Sequence, residues 1–339
     1  MKALCTYPYP HSMRLFNNPH RLIRSVSFTL ALLLMWQLSY AGPIHDRIIE
    51  HRSAQQVEDL EEGEPSGRVS LPTGARLVRD VPYGKDGQQR MDVYLPRQPA
   101  GAPVIFMVHG GAWRVGDKGA GTVVENKVAR WVSRGFIFIS ANYRLLPKTA
   151  PVEQARDIAR ALATAQGKAA SWGGDPAKFI MMGHSAGAHL VALLAASPAE
   201  ALKLGARPWL GTVSLDSAAL DVVKIMEAKH ARFYDRAFGS DPAYWRAASP
   251  SHVLFETATP FLVVCSARRA DSCPQASRFV AKATSLNVRA SVLEQDLSHK
   301  DINQQLGVGG SYTDAVELFM GALDVSVMRA LTNHSNGTR

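Results

Sequence analysis

Residues 179–196 read Phe179-Ile180-Met181-Met182-Gly183-His184-Ser185-Ala186-Gly187-Ala188-His189-Leu190-Val191-Ala192-Leu193-Leu194-Ala195-Ala196, and this stretch decides the fold. The first four residues are an apolar run of strand length. The last nine are rich in alanine and leucine, as in a buried helix. Between them stands Ser185, with a glycine two positions away on either side. Turning from strand to helix this sharply strains the backbone, and only small flanking residues tolerate it. The turn is expected to lift the Ser185 hydroxyl above the sheet edge, at the positive end of the helix that follows. A bare G-x-S-x-G pattern is a weak signal and also suits a glycine-rich packing turn. With a strand before it and a helix after it, the pattern reads as a nucleophile elbow.

The same texture extends outward on both sides. Apolar runs occur at 104–108, 136–140, 179–182, 210–215 and 261–265, with a weaker one at 290–293. Continuous runs of this kind suit parallel strands covered on both faces. Helical periodicity fills the intervals at 123–133, 151–165, 186–196, 273–283 and 312–331. Upstream, 77–81 and 91–95 alternate as strands around the turn at 84–87, which predicts a hairpin. Strand and helix in alternation predict an α/β domain over 75–330, with a doubly wound, mostly parallel sheet and helices on both faces. Residues 217–258 break the rhythm after the sixth strand. They hold Met226, Phe233, Tyr234, Phe238, Tyr244 and Trp245, and read either as a small cap walling a pocket or as a satellite hydrophobic cluster.

The chain has 339 residues and a formal charge of +9. Four of its 38 bases, Lys2, Arg14, Arg21 and Arg24, lie in residues 1–41, which hold no acid; the remainder carries +5, scattered without a basic run. That distribution argues against a nucleic-acid partner. Residues 1–41 have the three parts of a secretory signal: a basic flank, an apolar stretch at 26–36 and small residues ending at Ala41. The apolar stretch is short of the ~20 residues that span a bilayer. A cleaved signal and a secreted or periplasmic protein with no membrane span are therefore expected, with an uncleaved anchor as the alternative. Residues 42–74 form a polar lead-in and 331–339 a polar tail. Cys5 leaves with the signal. In an oxidising compartment Cys265 and Cys273 are expected to join, the alternative being two buried thiols.

A second motif, His109-Gly110-Gly111-Ala112-Trp113, directly follows the run 104–108. A glycine-rich loop can turn its amides inward, and acyl transfer needs such preorganised donors for a developing oxyanion. The amides of Gly111, Ala112 and Ala186 are the candidates, with His109 bracing the loop.

Together the two motifs resemble the hormone-sensitive-lipase-like branch of the α/β-hydrolases, which includes carboxylesterases and feruloyl-esterase-like proteins. The segments 113–118 and 142–145 are also similar to arylformamidase-type members. The resemblance covers roughly residues 75–325 and implies the α/β-hydrolase fold. Many relatives carry a third glycine where this chain has Ala112, which keeps the amide but leaves the acyl-pocket shape open.

In the family's order of nucleophile, acid and histidine, Ser185 is followed by an acid after the strand 261–265 and a histidine in a late loop. His299 fits the histidine, since His252 comes too early and His334 lies in the tail. Asp271 is the acid expected to orient it, with Asp296 and Asp301 as alternatives close to His299 in sequence. A Cys265–Cys273 disulfide would close the loop around Asp271. Trp113 and Tyr143 either line the substrate pocket or pack under the loop, and His189 reads as a packed or exposed helix residue. No zinc-spaced cluster, P-loop or dinucleotide fingerprint occurs, so neither metal nor cofactor is expected. The resemblance implies hydrolysis of a small-molecule ester through an acyl-enzyme. An arylformamidase-like amidase and a catalytically silent hydrolase fold used for binding are the rivals. Oligomeric state is not legible. Asn333 and Asn336 head glycosylation sequons, relevant only in a eukaryotic host.

Overall fold

The computed structural model describes residues 69–332 apart from Ala218. The proposed signal, nearly all of the lead-in, Cys5 and the two sequons lie outside the described residues.

Eight strands form one sheet: β1 (Arg76–Pro82), β2 (Arg90–Leu95), β3 (Ala102–Val108), β4 (Ile137–Ala141), β5 (Gly174–His184), β6 (Gly211–Leu215), β7 (Phe261–Ser266) and β8 (Ala290–Gln295). Their order is β1-β2-β4-β3-β5-β6-β7-β8. β1 and β2 run antiparallel to their neighbours, and every pairing from β4 to β8 is parallel. This is the α/β-hydrolase fold.

The central strands are apolar throughout because both faces are covered. In β3, Val104, Phe106 and Val108 enter one core, while Ile105 and Met107 enter the core on the opposite face. The helices covering the sheet include α1 (Gly121–Lys127), α2 (Pro151–Lys168), α3 (Ala186–Ala196) and the short α4 (Ala199–Lys203). The insertion between β6 and β7 holds four short helices: α5 (Val222–Met226), α6 (Arg232–Phe238), α7 (Pro242–Ala247) and α8 (Pro250–Val253). After β7 come α9 (Ser272–Ser285), α10 (His299–Gln304), α11 (Ser311–Gly321) and α12 (Val325–Thr332).

Two helical segments differ from expectation. The periodic stretch 312–331 is two helices, with Asp324 between them accepting from the Ser326 amide at 2.7 Å. That side-chain bond satisfies an amide that a continuous helix would bond to its own backbone. The segment 123–133 leaves α-geometry after Lys127 for one π-turn, Val128–Val132. No described helix is long and apolar enough to cross a membrane.

β3 connects to β4 on one side and pairs with β5 on the other, so the strand order reverses there. Ligands of open α/β sheets bind beyond the carboxyl ends of strands at such a point. The 109–113 loop and Ser185 both emerge at it.

Candidate active site

Ser185 takes φ 54° and ψ −118°, a conformation that L-residues rarely adopt. Its amide donates to the Leu215 carbonyl at 3.0 Å, tying the elbow to the end of β6. The flanking glycines are steric requirements. A Cβ on Gly183 would stand 2.4 Å from the Gly187 carbonyl oxygen, and a Cβ on Gly187 would stand 2.3 Å from that of Val108. α3 therefore begins in contact with the backbone that starts the 109–113 loop.

In that loop Gly111, Ala112 and Trp113 all have positive φ, at 97°, 49° and 61°. Successive left-handed residues of this kind turn their amides into a common concavity suited to an anion. The amides of Gly111, Ala112 and Ala186 donate to no acceptor among the described residues. Gly111 is irreplaceable there, since a Cβ would lie 2.2 Å from the Val115 carbonyl oxygen.

His109 braces the loop, as expected: its ring stacks on Tyr143 with centroids 4.6 Å apart. The Tyr143 hydroxyl lies 3.2 Å from the His109 carbonyl and 3.3 Å from that of Gly110. The pocket-lining reading of Tyr143 is corrected, because the side chain is wholly buried and its hydroxyl is spent on the loop. Trp113 is corrected in the same way. It is 3% exposed and packs against Phe233, Tyr234 and Phe238, which joins the 109–113 loop to the insertion.

His189 completes that join. Its Nδ1 accepts from Trp113 Nε1 at 3.1 Å, so Nε2 carries the proton and donates to the Ala248 carbonyl at 2.7 Å. Burial pulls its pKa down to about 4, against an opposing contribution from the Ala248 bond. The unfolded chain binds this proton near pH 6.5, so the depressed folded value makes stability complete above 6.5 and lost as pH falls toward 4. Urea titrations between pH 7 and 4.5 are expected to show a declining unfolding free energy. His189→Gln should flatten the decline by about 1 kcal/mol per pH unit over that window.

His299 opens α10, whose N-cap Ser298 accepts from the Asp301 amide. Its ring lies 4.5 Å from that of His184, the residue before Ser185, and His184 Nε2 lies 2.9 Å from the His299 carbonyl oxygen. Its Nδ1 bonds Asp216 Oδ2 at 2.5 Å, and its buried Nε2 has no hydrogen-bond partner. The Ser185 hydroxyl likewise has none among the described residues. Burial, then the Arg269 charge and His184, lower the His299 pKa to about 4, while Asp216 pulls the other way.

The expected acid is corrected. Asp271 does not meet His299; its side chain is 44% exposed and its nearest charge is Arg269 Nη2 at 3.8 Å. The carboxylate on His299 belongs to Asp216, at the end of β6, which is fully buried. Asp216 has φ 53°, a left-handed turn that Asp tolerates and that swings its carboxylate toward the late loop. Burial opposes its charge, yet Arg269 and His299 hold its pKa well below the carboxylate range. Asp296 and Asp301 do not orient the ring either: Asp296 pairs with Arg268 and Asp301 with Ser298. The missed signal was an Asp directly at the carboxyl end of an apolar parallel strand, beside Ser217. Cys265 and Cys273 are joined by a disulfide. Among the described residues no group of His, Cys, Asp and Glu is arranged to hold a metal ion.

The chain is similar to known proteins in sequence and in fold. Esterase LipQ of Mycobacterium tuberculosis (strain ATCC 25618 / H37Rv) is 30% identical over 248 residues, covering 66% of this chain and 57% of that protein. A probable isoprenylcysteine alpha-carbonyl methylesterase of Oryza sativa subsp. japonica is 34% identical over 119 residues, 35% of this chain and 27% of that protein. The chain thus spans little more than half the length of one curated relative and about a quarter of the other. The crystal structure of esterase B from Lactobacillus rhamnosis superposes with a TM-score of 0.61 at 19% identity, covering 91% of this chain and 99% of that one, a likeness of fold. The family model described as BD-FAE matches residues 91–272, just over half of the chain, from β2 to the start of α9. With its elbow, its glycine-rich loop and its sheet all inside or beside that match, the chain belongs to the BD-FAE family.

Proposed function

We propose that this protein is a serine esterase that hydrolyses carboxylic esters of small or aryl substrates through an acyl-enzyme on Ser185. One observation carries the reading: a buried imidazole beside the elbow is anchored at Nδ1 by a carboxylate, with its Nε2 left unpartnered. Asp216 accepts a hydrogen bond from Nδ1–H, which fixes the tautomer with the lone pair on Nε2. His299 takes the Ser185 proton as the hydroxyl oxygen attacks the ester carbonyl. The amides of Gly111, Ala112 and Ala186 stabilise the resulting oxyanion. The alcohol leaves with the proton from His299, and water repeats the cycle on the acyl-enzyme. No cofactor takes part. The ester activity named for LipQ and the methylesterase supports this chemistry. The leader-like segment 1–41 and the Cys265–Cys273 disulfide support export to the periplasm or beyond the cell.

A fluorophosphonate probe is expected to label the wild-type protein and not Ser185→Ala. Short nitrophenyl esters should turn over well ahead of N-formyl anilides. An unlabelled wild type sinks the enzyme reading, and faster formanilide turnover replaces it with an amidase.

A further inference from the structure

The β6 carboxylate does not stand alone. Besides His299, Asp216 is held by three donors: the Ser266 amide at 2.8 Å, the Ser272 hydroxyl, and Arg269 Nη1 at 2.8 Å. All three come from residues 266–272, the segment closed by the Cys265–Cys273 disulfide. The loop after β7, from which an acid was expected, instead supplies a cradle for an acid from the neighbouring strand. Arg269 is its charged member. Its side chain is only 14% exposed, and Nη1 also lies 2.9 Å from His299 Nδ1. The guanidinium thus sits at the carboxylate–imidazole contact. Its Nε is buried with no hydrogen-bond partner, a cost that a purely structural arginine would be placed to avoid.

We propose that Arg269 is a positioning residue that holds Asp216 as the partner of His299 and, through its fixed charge at that contact, extends turnover to acid pH. This rests on the esterase reading above. With Nδ1–H given to Asp216, the guanidinium cannot also donate to Nδ1, so its effect there is electrostatic. A fixed positive charge beside the ring opposes imidazolium formation. It keeps His299 neutral, and able to accept the Ser185 proton, at lower pH than an isolated Asp–His pair allows. Asp216, Arg269 and His184 face His299 directly; Asp271 and Tyr234 face Arg269, and Tyr312 faces Asp216. Arg269 and Asp216 stand within hydrogen-bond reach of the ring, and their charges act on it in opposite directions. On its own segment, Lys300 is exposed and Asp301 bonds Ser298.

The test is the pH dependence of kcat/KM on a short nitrophenyl ester for wild type, Arg269→Gln and Arg269→Lys. In Arg269→Gln the acid-side midpoint is expected to rise by at least about one pH unit, the scale of a charge a few ångströms away. Arg269→Lys keeps the charge and should hold the midpoint near the wild-type value while losing plateau rate, since the rigid guanidinium that places Nη1 on Asp216 is gone. A midpoint in Arg269→Gln that stays put or falls overturns the proposal, whatever happens to the rate. If Arg269→Gln does not fold, the His299 ring is titrated by NMR in the wild type and in Arg269→Met, which keeps an apolar stem without the charge. A wild-type midpoint at least about one unit below the variant's supports the proposal, and a smaller difference or none overturns it. The NMR readout needs no turnover. A difference of that size without ester hydrolysis would therefore discard the esterase reading and keep the electrostatic one.

Discussion

Asp216→Asn is expected to lower kcat by about 10⁴-fold, while Asp271→Asn leaves it within a few-fold of wild type. The asymmetry follows from where the two carboxylates lie. Asp216 accepts the hydrogen bond of His299 Nδ1–H at 2.5 Å, and an amide there can present its NH₂ to the ring and reverse the tautomer. Nε2 would then carry a proton and no longer accept one from Ser185. Asp271 touches only Arg269, at 3.8 Å, from a half-exposed position, so its loss costs the ring nothing directly. Asp216→Asn also leaves Arg269 buried without its anion, a change that costs about 3–5 kcal/mol when a buried pair is broken. Thermal unfolding should be run beside the kinetics, so that the rate is read on folded protein. An inactive Asp271→Asn with an active Asp216→Asn would reverse the assignment.

Gly187→Val is expected to damage both the fold and the site. Its Cβ would stand 2.3 Å from the Val108 carbonyl oxygen and 2.4 Å from that of His109. Both contacts are to backbone, and neither can be relieved by turning a side chain. α3 and the start of the oxyanion loop must move apart, which misplaces the Ala186 amide relative to those of Gly111 and Ala112. Forced overpacking of this kind costs about 1–3 kcal/mol, and loss of one oxyanion donor about 10²–10³-fold in kcat. A lower urea midpoint together with a rate loss of that size is the expected result. A fully active, equally stable variant would show that the contact between elbow and loop is not what fixes the donors.

Much of this protein was legible in the order of its residues. Six strands follow from runs of apolar residues and the first two from alternation around a turn, and their boundaries in the sheet lie within a few residues of those stretches; only β5 reaches well upstream of its run. α3 spans 186–196 as read, because a chain that must stay buried all round leaves a long unbroken apolar signature. The motifs at 109–113 and 183–187 were readable because glycine marks positions where a Cβ cannot fit. The break at 322–324 was not readable, since Asp324 suits a helix interior nearly as well as a cap until its partner is known. Trp113 and Tyr143 were ambiguous for a similar reason. Aromatic side chains serve pockets and loop braces alike, and only burial separates the two.

The amino-acid sequence by itself determined the layered α/β architecture, the sharp turn that carries Ser185, the glycine-rich loop at 109–113 and the late position of His299. Each is written in local periodicity or in a local steric demand. The tertiary structure alone decided the acid. Asp216 and Asp271 follow neighbouring parallel strands, which in any sheet lie only about 4.8 Å apart, and both loops open on the same crevice. The place of Asp216 directly after an apolar strand marks it as a candidate, but which carboxylate turns inward is set by contacts far apart in the chain. The choice came from the packing of residues 266–272, which point Ser266, Arg269 and Ser272 at Asp216 and leave Asp271 at the surface. A buried carboxylate must collect its donors from wherever the fold places them, and here they were assembled from a strand, a disulfide-closed loop and a helix start.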